Sequence, residues 1–162
     1  MPEAPAPITV VEKHLPNLPA TEGLAAFLAP LARVGDVVAL EGELGAGKTV
    51  FARAFIHALG GIEEVPSPTF TLVQVYELAG GPVYHFDLYR ISDPEEAYEL
   101  GIEEAFADGI TLIEWPENLG GLLPAERLDV ALAMGADENA RRVVVRGHGD
   151  WAQRIGKAAI DD

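Results

Sequence analysis

The sequence predicts one α/β domain in which a mixed parallel and antiparallel sheet is flanked by helices. Two observations predict it. Short apolar runs typical of buried strands, Val37–Leu40 and Gly109–Glu114, alternate with segments of helical periodicity. Pairs of alternating segments joined by turn residues predict two antiparallel hairpins. Their strands are expected at 70–78 with 83–87 and at 126–134 with 141–147.

The first half of the chain supplies further elements. Ile8–Lys13 alternates and predicts an edge strand. Thr21 is placed to cap a helix that runs to Ala32. Its predicted apolar face consists of Leu24, Phe27, Leu28 and Leu31.

In the second half, Ser92–Glu96 combines a capping residue, a proline and acidic residues, which predicts a helix start. We expect a short helix to Leu100, another through Phe106, and a terminal helix at Asp150–Ala159.

The length and composition place limits on the class of protein. A chain of 162 residues with 49% hydrophobic content predicts a single folded domain over residues 1–162. Residues 1–7 are expected to be flexible, and residues 148–162 to form a terminal helix and tail. The chain has no cysteine, no signal-peptide pattern and no long apolar run, so we expect a cytoplasmic protein without a membrane span.

The charge is strongly acidic. Asp and Glu number 26 against 11 Lys and Arg, which gives a net charge of −15. A protein that held RNA tightly by itself would need a basic face, and few residues here could build one. Two interpretations remain open: the acidic surface favours a basic protein partner, or it only keeps the protein soluble.

The most specific motif is Gly42–Thr49, which fits the phosphate-binding P-loop pattern at every fixed position. Glycines let the backbone curl so that successive N–H groups point at a phosphate, Lys48 reaches the outer phosphates, and the Thr49 hydroxyl binds Mg²⁺. A strand precedes the motif, and an amphipathic helix, Thr49–Leu59, follows it and adds its positive dipole end. The predicted fold is therefore that of a P-loop NTPase. The motif comprises Gly42, Glu43, Leu44, Gly45, Ala46, Gly47, Lys48 and Thr49.

A P-loop needs an acid from a neighbouring strand to complete its magnesium site. Glu114 ends the apolar strand after Gly109, where such an acid belongs, and Asp87 ends the second strand of the first hairpin. Either acid could instead be an ordinary surface residue at a strand end.

Other candidates depend on their position near the P-loop. Thr69 lies between two prolines after the P-loop helix, where a segment that senses the γ-phosphate would lie. Trp115 is a flat wall beside the nucleotide or a core residue. We expect His85 to be a packed strand residue rather than a base. The residue that activates the attacking water stays open among His85, Thr69 and Glu114.

Four segments in this order resemble the bacterial TsaE (YjeE) family. They are Gly42–Thr49, Ser67–Leu72, His85–Arg90 and Ile113–Pro116, and the resemblance covers roughly residues 20–147.

The resemblance implies a small ATPase needed for the threonylcarbamoyl modification of the adenosine beside the anticodon in tRNAs that read codons beginning with A. It implies TsaD and TsaB as partners, and ATP and Mg²⁺ at the site. Thr49 and Glu114 would then hold the metal, Asp87 would lie near it and serve hydrolysis, and Trp115 would lie beside the nucleotide. The segment Leu18–Thr21 would contribute to the adenine pocket.

Two other functions remain compatible with the residues. One is a P-loop kinase for a small metabolite, and the other is a nucleotide-sensing module without hydrolysis. A regulatory GTPase is disfavoured because the chain lacks both an Asn-Lys-x-Asp segment and an Asp-x-x-Gly segment.

Overall fold

The computed structural model describes residues 8–61 and 72–158. Within these ranges seven strands and five α-helices are present. The strands are β1 (Ile8–Leu15), β2 (Val37–Glu41), β3 (Val73–Leu78), β4 (Gly81–Asp87), β5 (Ile110–Glu114), β6 (Leu128–Met134) and β7 (Arg141–His148). The helices are α1 (Leu18–Leu28), α2 (Lys48–Ala58), α3 (Glu96–Glu99), α4 (Ile102–Asp108) and α5 (Asp150–Ala158). Two 3₁₀ segments lie at Ala29–Leu31 and Pro116–Leu122.

These strands form one sheet in the order β1-β7-β6-β2-β5-β4-β3. The centre is parallel, with β2 between β6 and β5, and β4 beside β5. Both sides of the sheet end in antiparallel pairs, β4 with β3 and β7 with β6 and β1. The mixed sheet, the two hairpins and the edge position of β1 are therefore confirmed.

The sheet separates two apolar clusters because successive strand residues point to opposite faces. Val38 and Leu40 of β2 belong to the larger cluster, together with residues of α1, α2 and α5. Val37 belongs to the smaller cluster, with residues of α3 and α4. Helices thus cover both faces of the parallel centre, as the α/β interpretation requires.

The first helix starts earlier than predicted. Asn17 is its cap: the Oδ1 atom accepts a hydrogen bond from the Ala20 N–H at 2.9 Å. Thr21 lies inside the helix and is buried, and Phe27 is 40% exposed, so the predicted cap and apolar face are wrong at these positions. The α-helix ends at Leu28 and continues as a 3₁₀ turn, because Pro30 lacks the N–H that a longer helix would use.

The acidic segment after β4 is also less helical than predicted. Residues 93–95 form turns, and α3 contains four residues from Glu96. The carboxylate of Glu96 accepts from the Ser92 N–H at 3.0 Å, and that of Asp93 accepts from the Glu95 N–H at 3.0 Å. The bond to Asp93 is a local side-chain bond of the kind that competes with helix formation.

Some expectations fall outside the described residues. These include the flexible N-terminus at residues 1–7, the first residues of the predicted strand at 70–78, and Thr69 with its loop. Within the described ranges no helix combines the length and apolar character that a membrane crossing demands.

The helix cap gives a test of the fold. We expect Asn17→Ala to lower the free energy of unfolding by about 1 kcal/mol, because the Ala20 N–H loses its acceptor. Asn17→Asp keeps an acceptor oxygen and is the matched control. Urea unfolding measures both variants, and an alanine variant as stable as the aspartate variant would contradict the assigned cap.

Candidate functional site

The P-loop connects β2 to α2 at the carboxyl edge of the parallel strands. Ligands of open α/β sheets bind at this edge. The α2 helix begins at Lys48 directly after the loop, so its free N–H groups and the positive end of its dipole lie at the same place. The local sequence thus produces an anion site before any side chain is considered.

Two glycines are required by the loop geometry. Gly42 has a φ of 146°, and a Cβ atom there would lie 2.5 Å from the Leu132 carbonyl oxygen. Gly47 has a φ of 104° at the start of α2. These conformations are open to glycine and strained for other residues, so the glycines of the motif are explained by the backbone alone.

Lys48 is held over the loop. It is 4% exposed, and its Nζ donates a 2.6 Å hydrogen bond to the Gly42 carbonyl oxygen. The same Nζ lies 3.3 Å from the centroid of the Trp115 ring, which is a cation–π distance. Burial lowers the pKa of the Lys48 ammonium, and Glu114, Glu117 and Asp87 act in the opposite direction. An anionic phosphate beside Nζ would likewise favour the charged form.

The two predicted acids lie next to each other. Asp87 and Glu114 are register partners at the ends of the parallel strands β4 and β5. Both are nearly buried, with exposures of 5% and 3%. The Oδ1 atom of Asp87 accepts a hydrogen bond from the Tyr89 N–H at 3.1 Å. The sheet register therefore brings together two residues that are 27 positions apart in the chain.

Glu114 connects the P-loop to a buried histidine. The Thr49 hydroxyl donates to both carboxylate oxygens of Glu114, at 3.1 and 3.2 Å. The Nε2 atom of His85 lies 2.8 Å from Glu114 Oε2, and the His85 side chain is fully buried. This is a hydrogen-bond distance, and the carboxylate is the acceptor in the tautomer that carries a hydrogen on Nε2. His85 is packed in the strand as expected, but it also orients Glu114, which the sequence analysis did not foresee.

Trp115 forms one wall of the site. It has a left-handed backbone, with φ 61° and ψ 51°, which costs a non-glycine residue about 1–2 kcal/mol. Its ring lies 4.9 Å from that of Tyr89, which is 53% exposed. The strained turn directs the chain away from β5 immediately after Glu114 and leaves the Trp115 ring against Lys48.

These groups surround a cavity of about 230 Å³. Leu18 and Thr21 of α1 also line it, and the Thr21 hydroxyl has no hydrogen-bond partner within the described residues. The lining residues are Leu18, Thr21, Leu44, Gly45, Gly47, Lys48, Thr49, Val50, Asp87, Glu114, Trp115 and Arg141.

Most of the predicted site residues thus share one cavity. Glu43 and Ala46 do not line it: the Glu43 carbonyl oxygen accepts from the Ala46 N–H at 3.0 Å in a turn of the P-loop. Thr69 lies outside the described residues, so its expected role remains a prediction.

Arg141 is the charged lining residue that the sequence analysis missed. It begins β7, is 8% exposed, and donates from Nε to the Ala46 carbonyl oxygen at 2.9 Å. In the sequence it is one of two adjacent arginines in a predicted strand, with no motif around it. Its partner lies 95 residues away, so no local signal could have revealed the contact.

Comparison with known proteins identifies a family and relatives that share one name. Residues 15–143 match the family described as "Threonylcarbamoyl adenosine biosynthesis protein TsaE". A protein of Rickettsia felis named "tRNA threonylcarbamoyladenosine biosynthesis protein TsaE" is 45% identical over 128 residues, which cover 78% of this chain and 74% of that protein. A protein of Bacillus subtilis with the same name is 41% identical over 119 residues, which cover 73% and 74% of the two chains.

A solved structure agrees with the fold. The crystal structure of YdiB from Bacillus subtilis matches with a TM-score of 0.81 at 30% identity, and the match covers 94% of this chain and 96% of that one. The family match spans the P-loop, Asp87, Glu114 and Arg141 together. With the fold, the motifs and the relatives in agreement, the chain belongs to the TsaE family.

Proposed function

We propose that this protein binds and hydrolyses ATP as a subunit required for the threonylcarbamoyl modification of the adenosine beside the anticodon in tRNAs that read codons beginning with A. The observation that carries the ATPase part is the single cavity lined by Lys48, Thr49, Asp87 and Glu114. The name that the relatives share supports the biosynthetic part.

The chemistry of the donors fits Mg²⁺. The ion prefers oxygen ligands and keeps several waters, so one or two protein carboxylates with phosphate oxygens are sufficient. The Thr49 hydroxyl and the Glu114 carboxylate already lie within 3.2 Å of each other, and Asp87 ends the adjacent strand. We assign Thr49 and Glu114 as ligands and Asp87 to the same metal region. When bound, Mg²⁺ supplies charge neutralisation and orientation of the phosphate oxygens.

The residues of the chain have separate roles in ATP binding and hydrolysis. Backbone N–H groups of the P-loop residues that line the cavity, Leu44, Gly45, Gly47, Lys48 and Thr49, hold the phosphates. Lys48 exchanges its contact with the Gly42 carbonyl for the outer phosphates. Trp115 flanks them, and Leu18–Thr21 borders the base. Asp87 serves hydrolysis from a position fixed by the Tyr89 N–H. Thr69 completes this proposal as the residue that responds to the γ-phosphate.

The surface charge supports a protein partner. At −15 the chain repels tRNA phosphates, so we do not expect tight tRNA binding by the protein alone. We assign the direct contacts to proteins of the TsaD and TsaB type, and the role of ATP hydrolysis to resetting that pair between rounds.

The deciding experiment measures phosphate release from ATP by the purified protein, alone and with a TsaD–TsaB pair, together with modification of tRNA. We expect slow hydrolysis alone, faster hydrolysis with the pair, and tRNA modification that requires this protein. Lys48→Ala, which loses the phosphate-binding ammonium, is the inactive control. A pair that left both the hydrolysis rate and the tRNA modification unchanged would overturn the proposal.

Charge-removing substitutions test the two acids. Glu114→Gln and Asp87→Asn keep the side-chain shape. Each is expected to lower kcat by about 10²–10³-fold, because a Mg²⁺ ion at this site would lose a negatively charged group that holds and orients it. Glu114→Gln should also require more Mg²⁺ for half-maximal rate. Glu104→Gln, an exposed acid of α4, makes the same chemical change elsewhere and is the control. Unchanged turnover in either variant would remove that residue's role.

His85 gives a test of how Glu114 is held. His85→Leu removes the donor to Glu114, and we expect Mg²⁺ affinity, titrated in the presence of nucleotide, to fall by about 10–100-fold. His85→Gln can place an amide N–H near the position of Nε2 and should recover most of the affinity. His14→Leu on the exposed face of β1 is the control. Equal affinities for the leucine and glutamine variants would refute the positioning role.

A further inference from the structure

Arg141 is a buried cation whose hydrogen bonds go to backbone carbonyl oxygens. Nε donates to Ala46 at 2.9 Å, and Nη2 donates to Gly45 at 3.1 Å. Nη1 donates to Glu138 and to Ala140, both at 2.7 Å. One side of the guanidinium thus holds the P-loop, and the other holds the connection between β6 and β7.

The burial of the Arg141 guanidinium costs free energy, which indicates that the residue has a role at the site. Burying a charged group is costly unless other groups offset its lost hydration. For Arg141, the hydrogen bonds to four backbone carbonyl oxygens offset part of that cost. Carbonyl partners satisfy the donors but leave the positive charge in place. Because Arg141 lines the cavity, the cavity is lined by two positive side chains, Arg141 and Lys48, and two carboxylates, Asp87 and Glu114.

The contact with Ala46 also determines a peptide orientation. The peptide plane is rigid, and in a trans peptide the C=O and the following N–H point in opposite directions. Holding the Ala46 carbonyl on Nε therefore fixes the direction of the Gly47 N–H. Glycine at position 47 has a wide choice of backbone conformations, so an external anchor is needed to select one.

The planar fork is what permits this anchoring. Arginine has five N–H donors in fixed directions, whereas a lysine ammonium is a compact group with three. The guanidinium of Arg141 can therefore hold carbonyls of the P-loop and of the β6–β7 connection at the same time, each in a direction fixed by its plane.

We propose that Arg141 is a positioning residue for phosphate binding: it anchors the Gly45 and Ala46 carbonyls and thereby holds the P-loop N–H groups in the conformation that receives a phosphate. This inference rests on the proposed function in one respect, namely that the cavity binds a nucleotide.

The test uses the full chain with Arg141→Lys and Arg141→Met, and measures the affinity for ADP and for a non-hydrolysable ATP analogue with Mg²⁺ by calorimetry. Arg142→Lys and Arg142→Met are matched controls, because Arg142 is the next residue and is exposed on the opposite face of β7. Thermal unfolding of each variant sets a temperature at which all are folded. Hydrogen exchange of the Gly47 and Lys48 amides is recorded at that temperature.

We expect both Arg141 variants to lose at least about tenfold in nucleotide affinity, a loss equivalent to one charge-assisted hydrogen bond. The Gly47 and Lys48 amides should exchange faster, and both Arg142 variants should bind as the unsubstituted protein does. Should Arg141→Met not fold, Arg141→Lys carries the test, since it keeps the charge but lacks the planar fork of five donors.

Two results would overturn the role of Arg141. One is full nucleotide affinity in Arg141→Lys, which would mean that only the positive charge of Arg141 matters and not its hydrogen bonds. The other is lower melting temperature with unchanged affinity and amide exchange, which would make it a purely structural residue. Failure of the unsubstituted protein to bind nucleotide would instead overturn the proposed function, and this inference with it.

Discussion

The parallel register at the centre of the sheet is the constraint on which the site depends. Because β2, β5 and β4 run in the same direction, their carboxyl ends meet at one edge. The P-loop leaves from the first of these ends, Glu114 closes the second and Asp87 the third. A slip of one residue in β5 would turn Glu114 to the opposite face, toward the smaller apolar cluster and away from Thr49. Glu114 itself opposes that slip, because its carboxylate would lose the hydrogen bonds to Thr49 and His85 and enter an apolar cluster.

Around this edge the structure holds four buried charged side chains. Lys48, Asp87, Glu114 and Arg141 are each less than a tenth exposed. Each charge has partners within the structure. Lys48 contacts a backbone carbonyl and an aromatic face, and Arg141 contacts four carbonyl oxygens. Asp87 accepts from a backbone N–H, and Glu114 contacts a hydroxyl and a histidine. Buried polar groups of this kind are costly when incompletely paired, so they are typical of functional sites rather than of structural cores.

The strained backbone at Trp115 fits the same pattern. A non-glycine residue in the left-handed region is uncommon, and strain of this kind clusters at ligand-binding turns. Here it allows Glu114 to end β5 at the cavity while the next side chain lies against Lys48.

Short-range patterns were sufficient for much of this protein. The periodicity of Val37–Leu40 and of the hairpin segments predicted the mixed sheet, and the spacing of glycines with Lys48 and Thr49 predicted the phosphate site, because both depend on neighbours in the chain. The positions of Asp87 and Glu114 at strand ends predicted them as the acids of the magnesium site. The cap at Asn17, the link from His85 to Glu114 and the anchoring of the P-loop by Arg141 were decided only by the tertiary structure. A cap depends on where packing lets the helix begin, and the other two join residues 29 and 95 positions apart, whose contact is created by the order of strands in the sheet.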